Sequence, residues 1–283
     1  MCDRVPLRIL FDGHAITSRR SWIGDYSFML CAAMVSDFSD EVELSIFASD
    51  AVHRVHSIND LEDVTRSTRH GDLYAFRHQW QLPGLLRAGK FDLFHSPDGI
   101  APIVHGRVPI VVTIHDIIPL RLPQLSTGVK SRHHRIFAWV TRRVMNRSAG
   151  IITVSQFSKR DIMDFFRLDS SAIHVVYNAA AVPAQSESSS RTITDMIGGR
   201  PYLLFVGRRV PYKGLDLLIN AFQRLRNEAP SVECCLVLAG EEDARVRSTK
   251  GRSCADENII YTGYVDQPQL SSLYSHATAF VFP

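Results

Sequence analysis

Short apolar runs recur along this chain, and most lead through a brief turn into a segment with helical periodicity. That alternation constrains the fold more than any other feature. Strands that return to one sheet through a helix lie parallel, and a parallel sheet is covered by helices on both faces. In the first part of the chain the strand readings are Leu7–Phe11, Val42–Ala48, a weaker Leu73–Phe76, Phe91–His95, Val108–Ile114, Gly150–Val154 and Ile173–Tyr177. Helical patterns lie over Asp25–Val35, Val129–Asn146 and Gln156–Phe166. Ala179–Arg200 is then rich in Ala, Ser and Gly and lacks periodicity, as a linker would be. The rhythm restarts with strands at Tyr202–Val206, Cys234–Ala239, Ile259–Tyr261 and Ala279–Phe282, and helices at Gly214–Asn227 and Pro268–His276. The expected class is α/β: two Rossmann-like domains with mainly parallel sheets facing across a cleft, over residues 1–182 and 201–283, joined by a linker at 183–200. The sequence stops at the apolar run Phe280–Pro283 with no helix to cover the last strand, so the second domain is expected to be incomplete and the chain truncated. The other reading is a short domain.

Composition removes several function classes. With 283 residues, 45% hydrophobic and 22% charged, the chain suits a globular protein of two domains. A net charge of +3 is too small for a protein built mainly to grip nucleic acid. The five cysteines, Cys2, Cys31, Cys234, Cys235 and Cys254, form no C-x-x-C pair and no metal spacing, and the adjacent Cys234 and Cys235 inside an apolar run read as buried thiols in a reducing compartment. No apolar segment reaches the length of a membrane span, and the N-terminus reads as a strand rather than a leader. The expected location is cytoplasmic, with peripheral contact to the inner face of the cytoplasmic membrane as an option. G-x-x-x-x-G-K-[ST] is absent, and no G-x-G-x-x-G follows the first strand, which argues against an ATPase and a standard dinucleotide enzyme. The acidic run after Gly240 points its carboxylates in different directions, and no metal is expected there.

The segment PYLLFVGRRVPYKGLDLLINAF, residues 201–222, reads as a buried strand, a basic turn and an amphipathic helix. Ligands of open α/β sheets bind at such strand-to-helix turns. This one carries Arg208 and Lys213 rather than a run of glycines, which suits a diphosphate held by side chains; the plainer reading is a solvated loop. His115 follows an apolar strand and belongs at the lip of a sheet, where an imidazole can meet a sugar hydroxyl; the competing role is a strand cap acting with Asp116. His95 ends another strand and divides evenly between the two roles. Gly24 heads a helix whose amides could receive a phosphate. Ser155 reads first as a helix cap and second as a phosphate contact. Arg132, Arg135, Arg142 and Arg143 share one side of a helix with Trp139; this reads first as a solvated basic face and second as a docking surface for an anionic membrane.

The order and spacing of WIGDY (22–26), FHSPDGIAPIV (94–104), VVTIHDIIPL (111–120), ITVSQFSKRDI (152–162), VVYNA (175–179), FVGRRVPYKGLDLLINAF (205–222), VLAG (237–240) and YTGYVDQPQLSSLYSHATAFVFP (261–283) resemble the family 4, or group 1, glycosyltransferases. The resemblance implies the GT-B fold and retaining transfer of a mannose-type or glucose-type hexose from a GDP- or UDP-linked donor. The acceptor would be a lipid-linked or polysaccharide intermediate of cell-surface glycan synthesis, such as that of lipopolysaccharide. It implies that Arg208, Lys213 and Gly24 meet the donor diphosphate and that His115 lies at the reacting sugar. Gly207, Gly240, Tyr264 and Val265 would border the nucleotide. No cofactor or metal is implied, and nucleic acid is not an expected partner. The family continues past FVFP into a glycine-containing loop and an E-x7-E motif, and the expectation is that this chain ends before them. The alternatives are an inactive truncated remnant or non-catalytic partner protein, and a nucleotide-sugar epimerase.

Overall fold

The computed structural model describes residues 5–18, 21–49, 51–68, 74–103, 106–123, 131–179, 197–241 and 256–283, with the side chains of 74–80, 131–134 and 211 outside that description. The chain divides into two compact units, one built from residues 1–120 and 132–180, the other from 121–131 and 181–283. Most of the linker expected at 183–200 lies outside the described residues.

The first unit contains β1 (Leu7–Asp12), α1 (Trp22–Asp37), β2 (Val42–Ala48), β3 (Ala51–Val55), α2 (Ile58–Ser67), α3 (Tyr74–Ala88), β4 (Leu93–Ser96), β5 (Ile110–Thr113), α4 (Ile118–Arg121), α5 (Ser131–Met145), β6 (Gly150–Thr153), α6 (Gln156–Phe166) and β7 (Ile173–Val175). Its sheet has the order β3-β2-β1-β4-β5-β6-β7. The β3 edge pairs antiparallel with β2, and the other pairings are parallel. Alternation along β1 sends Leu10 into one buried cluster and Ile9 and Phe11 into another, so both faces of the sheet are packed. Each large side chain buried this way contributes about 1.5–3 kcal/mol.

The second unit contains β8 (Tyr202–Val206), α7 (Leu215–Glu228), β9 (Cys235–Ala239), β10 (Ile259–Gly263), α8 (Gln267–His276) and β11 (Ala279–Phe280). These strands form a parallel sheet in the order β10-β9-β8-β11. Tyr202 and Leu204 pack on one face, and Phe205 packs on the other with Leu215, Leu218, Ile219 and Phe222 of α7.

Several elements differ from the sequence reading. The weak strand at Leu73–Phe76 is corrected: Tyr74–Ala88 is helical, and Leu82 and Leu86, one turn apart, are buried. A four-residue apolar run does not distinguish strand from helix; the i,i+4 spacing further along does. The strand β3 was not anticipated, because AVHRV is half exposed and polar. Nor was α2, although Ser57 and Asp60 form a capping box at its start.

In each sheet the order reverses once, between β1 and β4 in the first unit and between β8 and β11 in the second. The crevice beyond the carboxyl ends of strands at such a reversal is where ligands of open α/β sheets bind.

Arg8 of β1 holds Asp92 at the entrance to β4 through its backbone N–H (3.0 Å), Nε (3.0 Å) and Nη2 (2.8 Å). These bonds hold the Asp92 carboxyl down to about 2, well below the usual carboxylate range. A depressed folded value means that the stabilisation is present above the unfolded value of roughly 3.9 and is lost as pH falls through about 2. Melting temperatures of the wild type and Asp92→Asn, measured from pH 5 to pH 2, should differ most at pH 5 and converge toward pH 2. A gap independent of pH would contradict this assignment.

Candidate functional site

In the first unit, α1 begins with Ser21 as N-cap, its Oγ accepting the Gly24 N–H at 3.1 Å. This start places Trp22 and Tyr26 one turn apart on α1, and both rings meet the imidazole of His115 edge to face, with centroids 4.5 and 4.8 Å away. His115 follows β5 and is only 6% exposed. The residue before it is fixed by Thr153, whose hydroxyl donates to the Ile114 carbonyl at 2.7 Å. His115 Nε2 lies 2.8 Å from the Pro97 carbonyl oxygen. A carbonyl only accepts, so Nε2 carries the hydrogen and the Nδ1 of a neutral ring presents a lone pair. Burial favours that neutral ring, lowering the affinity of His115 for a second proton against the opposing pull of Pro97 and Asp116. Nδ1 is buried and has no protein partner among the described residues.

Behind His115 runs a polar network. Thr113 Oγ1 is hydrogen-bonded to His95 Nε2 at 2.9 Å and to the Tyr26 hydroxyl at 3.2 Å. His95 is 5% exposed, and its burial pushes its pKa down to about 4. At the end of β1, His14 Nδ1 donates to the fully buried Asp12 at 2.8 Å. Asp98, in the loop after β4, accepts from Ser96 Oγ at 3.2 Å and the Ile100 N–H at 3.0 Å. Burial, with the Asp12 charge adding to it, raises the Asp98 carboxyl to about 7. Three adjacent strands, β1, β4 and β5, therefore each end in a histidine with an aspartate nearby. Sequence reasoning found His95, His115 and Asp116 and missed Asp12, His14, Thr113, Asp98 and the aromatic pair. The D-G-H run at the first strand end and the i,i+4 spacing of Trp22 and Tyr26 were the available signals.

In the second unit the carboxyl edge gathers glycines and cations. Gly207 N–H donates to the Ala239 carbonyl and Gly240 N–H to the Gly263 carbonyl, each at 2.8 Å. Gly240 has φ +132°, and a Cβ on it would run into the backbone of Gly207; here the close approach requires glycine. The 3-10 turn Pro211–Lys213 folds the chain back, so that a Cβ on Gly207 would lie 2.9 Å from Lys213 Nζ. The same ammonium stands 5.3 Å from the ring centre of Phe282, which follows β11. Arg208 is exposed, whereas Arg209 turns away to stack over Tyr261 at 4.8 Å. Helix α7 starts at Gly214 without a side-chain cap. Tyr264 is exposed just past β10, and Val265 packs against the cluster of Tyr202 and Leu204.

The remaining candidates make local contacts or lie on the surface. The Gly24 amide is engaged by Ser21, and a Cβ there would meet the Ala15 carbonyl oxygen. Asp116 accepts from the Ile118 N–H at 2.9 Å and starts α4. Ser155 caps α6, accepting from the Ser158 N–H at 3.0 Å. Arg135, Arg142 and Arg143 are exposed on α5, and the Arg132 side chain lies outside the described residues. Among the described residues no three His, Cys, Asp or Glu side chains are placed to hold a metal ion, and no helix is long and apolar enough to cross a membrane.

Two mainly parallel sheets with polar and cationic groups at their reversal points define an α/β protein of the GT-B class. The family model described as "Glycosyltransferase Family 4" matches residues 30–181, more than half of the chain, and "Glycosyl transferases group 1" matches residues 200–283. The chain belongs to glycosyltransferase family 4. It is 24% identical over 298 residues to the O-antigen chain mannosyltransferase B of Escherichia coli, covering 98% of this chain and 76% of that protein. It spans about half the length of several other curated relatives that it matches. Among solved structures it resembles Anabaena Alr3699/HepE in complex with UDP and glucose, with a TM-score of 0.57 and 15% identity over 94% of this chain and 72% of that one. It also resembles WaaG, a glycosyltransferase involved in lipopolysaccharide biosynthesis, with a TM-score of 0.61 and 15% identity over 99% of this chain and 75% of that one.

Thr113 is the node that joins β4, β5 and α1. Thr113→Val keeps the shape but leaves the buried His95 Nε2 and Tyr26 hydroxyl without this partner, which should cost about 1–3 kcal/mol. Urea unfolding followed by tryptophan fluorescence checks this, since Trp22, Trp80 and Trp139 all belong to the first unit. An unchanged midpoint would contradict the role given to Thr113.

Proposed function

We propose that this chain carries the machinery of a retaining hexosyltransferase that uses a GDP- or UDP-linked sugar. The observation that supports it most is His115: a buried, neutral imidazole at the end of β5 with one nitrogen spent on Pro97 and the other presenting a lone pair. Such a group accepts a hydrogen bond from a hydroxyl and is poorly matched to a phosphate oxygen, which is itself an acceptor. A sugar supplies hydroxyls of that kind. In the second unit, Lys213 and Arg208 lie in the turn after β8 at the sheet's reversal point, where a leaving nucleoside diphosphate would be received. Negative charge grows on the diphosphate as the bond to the anomeric carbon breaks. Cations already held in place stabilise that charge without reorganising. In this mechanism they take the place of a metal ion. Gly207, Gly240, Tyr264 and Val265 would border the nucleotide.

The O-antigen relative favours a mannose-type donor and a lipid-linked or polysaccharide acceptor of cell-surface glycan synthesis. A cytoplasmic enzyme working at the membrane surface fits that acceptor. Helix α5 offers the contact: Trp139, Arg142, Arg143, Asn146 and Arg147 line an open cavity of about 510 Å³, with Ile136 and Phe137 exposed on the same helix. Arg143 stacks on Trp139 at 5.4 Å, and Arg147 donates to the Ile103 carbonyl at 2.9 Å. Each basic side chain near an anionic leaflet contributes about 1 kcal/mol.

Incubation of the chain with a panel of GDP- and UDP-hexoses, with nucleoside diphosphate release as the readout, tests the proposal. Release from at least one donor is expected. Lys213→Ala should slow it by about 10²–10³, the scale of other preorganised charge contacts. No release from any donor would leave an inactive remnant, and donor interconversion without release would mark an epimerase. An unchanged rate in Lys213→Ala would remove the cations from the mechanism.

A further inference from the structure

The Cβ–Cγ bond and the Nε2–Pro97 hydrogen bond together orient the His115 ring, but one hydrogen bond is a weak restraint on rotation about Cβ–Cγ. Further restraint comes from α1. Trp22 meets the imidazole at 79° and Tyr26 at 89°, both within the range of separation that edge-to-face pairs prefer. Tyr26 is itself held, its hydroxyl bonded to Thr113, which also holds His95. Trp22 differs: 54% of it is exposed, so its place at the first helical position is not explained by burial in the core. What its ring does touch is His115. The two rings pack against the imidazole and so contribute to the burial that disfavours its charged form.

We infer that Trp22 and Tyr26 are positioning residues that clamp His115 in the Nε2–H tautomer with its Nδ1 lone pair turned to the substrate. The inference rests on the reading of His115 as the acceptor of a sugar hydroxyl and adds what holds it in that role. The groups facing the imidazole are Tyr26 and Trp22 from α1, the Pro97 carbonyl after β4, His95 at the end of β4, and Asp116 in its own segment. Of these, Trp22 and Tyr26 are the groups whose rings pack against the imidazole. Truncating either aromatic should free the ring, admit water and raise the affinity of His115 for a proton.

The test is a pH titration of the full chain labelled with ¹⁵N-histidine, followed by NMR, with His115→Gln used to assign one of the 12 histidines. In the wild type, His115 should show hydrogen on Nε2 alone and titrate below an ordinary histidine. Tyr26→Leu and Trp22→Leu should each move the midpoint toward the ordinary histidine range and mix the two tautomers, while Tyr26→Phe, which keeps the ring, should stay near the wild type. Unchanged midpoint and tautomer in the folded leucine variants would overturn the inference. So would a matching shift of His174 on β7, which would indicate general loosening. Should Tyr26→Leu fail to fold, Trp22→Leu decides alone, because its side chain is half exposed. No donor is needed, so a negative result removes the clamp and leaves the sugar-hydroxyl role to stand or fall on donor turnover.

Discussion

One hydrogen bond, from His115 Nε2 to the Pro97 carbonyl, sets the chemistry of the first unit. A backbone carbonyl has no hydrogen to give, so the bond decides which nitrogen is the donor. It spans neighbouring strands, since Pro97 follows β4 and His115 follows β5, and it exists only because those strands pair in parallel with the register His95↔Val111 and Ser96↔Val112. A shift by one residue would turn every side chain of the pair to the other face. The packing of Leu10, Phe94, Val112 and Ile151 in one cluster resists such a shift, so the register that builds the core also builds the site.

The second unit reaches a comparable result by another route. Its edge is cleared by glycines rather than lined with imidazoles. Gly240 lies against the backbone of Gly207, and the space above Gly207 is taken by the Lys213 ammonium. A side chain at either glycine would displace the neighbouring strand end or the cation. The stacked pair Phe205 and Phe282 (5.6 Å) ties β8 to the residues after β11 beneath that cation. Both sheets thus place their polar groups where the strand order reverses. Crossover connections leave a crevice at that point and helices cover the sheet elsewhere.

Much of this was legible in the sequence. The strands of both sheets stand out because a parallel sheet buried on two faces needs unbroken apolar runs, and IVVT and YLLFV are such runs. The position of His115 at a strand lip could be read for the same reason. The use of its two nitrogens could not, because Pro97 is 18 residues away and comes near only through pairing. Asp12 and His14 escaped notice since an aspartate at a strand end reads as turn chemistry until its burial is known. Tyr26 read as one residue of a helix, and its ring contact depends on where α1 lands on the sheet. The edge strand β3 was missed because half-exposed, polar strands lack the apolar signal that marks the central ones.

The most direct measurement is an experimental structure of this chain with a GDP- or UDP-hexose bound, read at His115. The account predicts a sugar hydroxyl within hydrogen-bond distance of Nδ1 while Nε2 keeps the Pro97 carbonyl. A bound hexose with no hydroxyl near that nitrogen, or a ring turned so that Nδ1 faces Pro97, would contradict it.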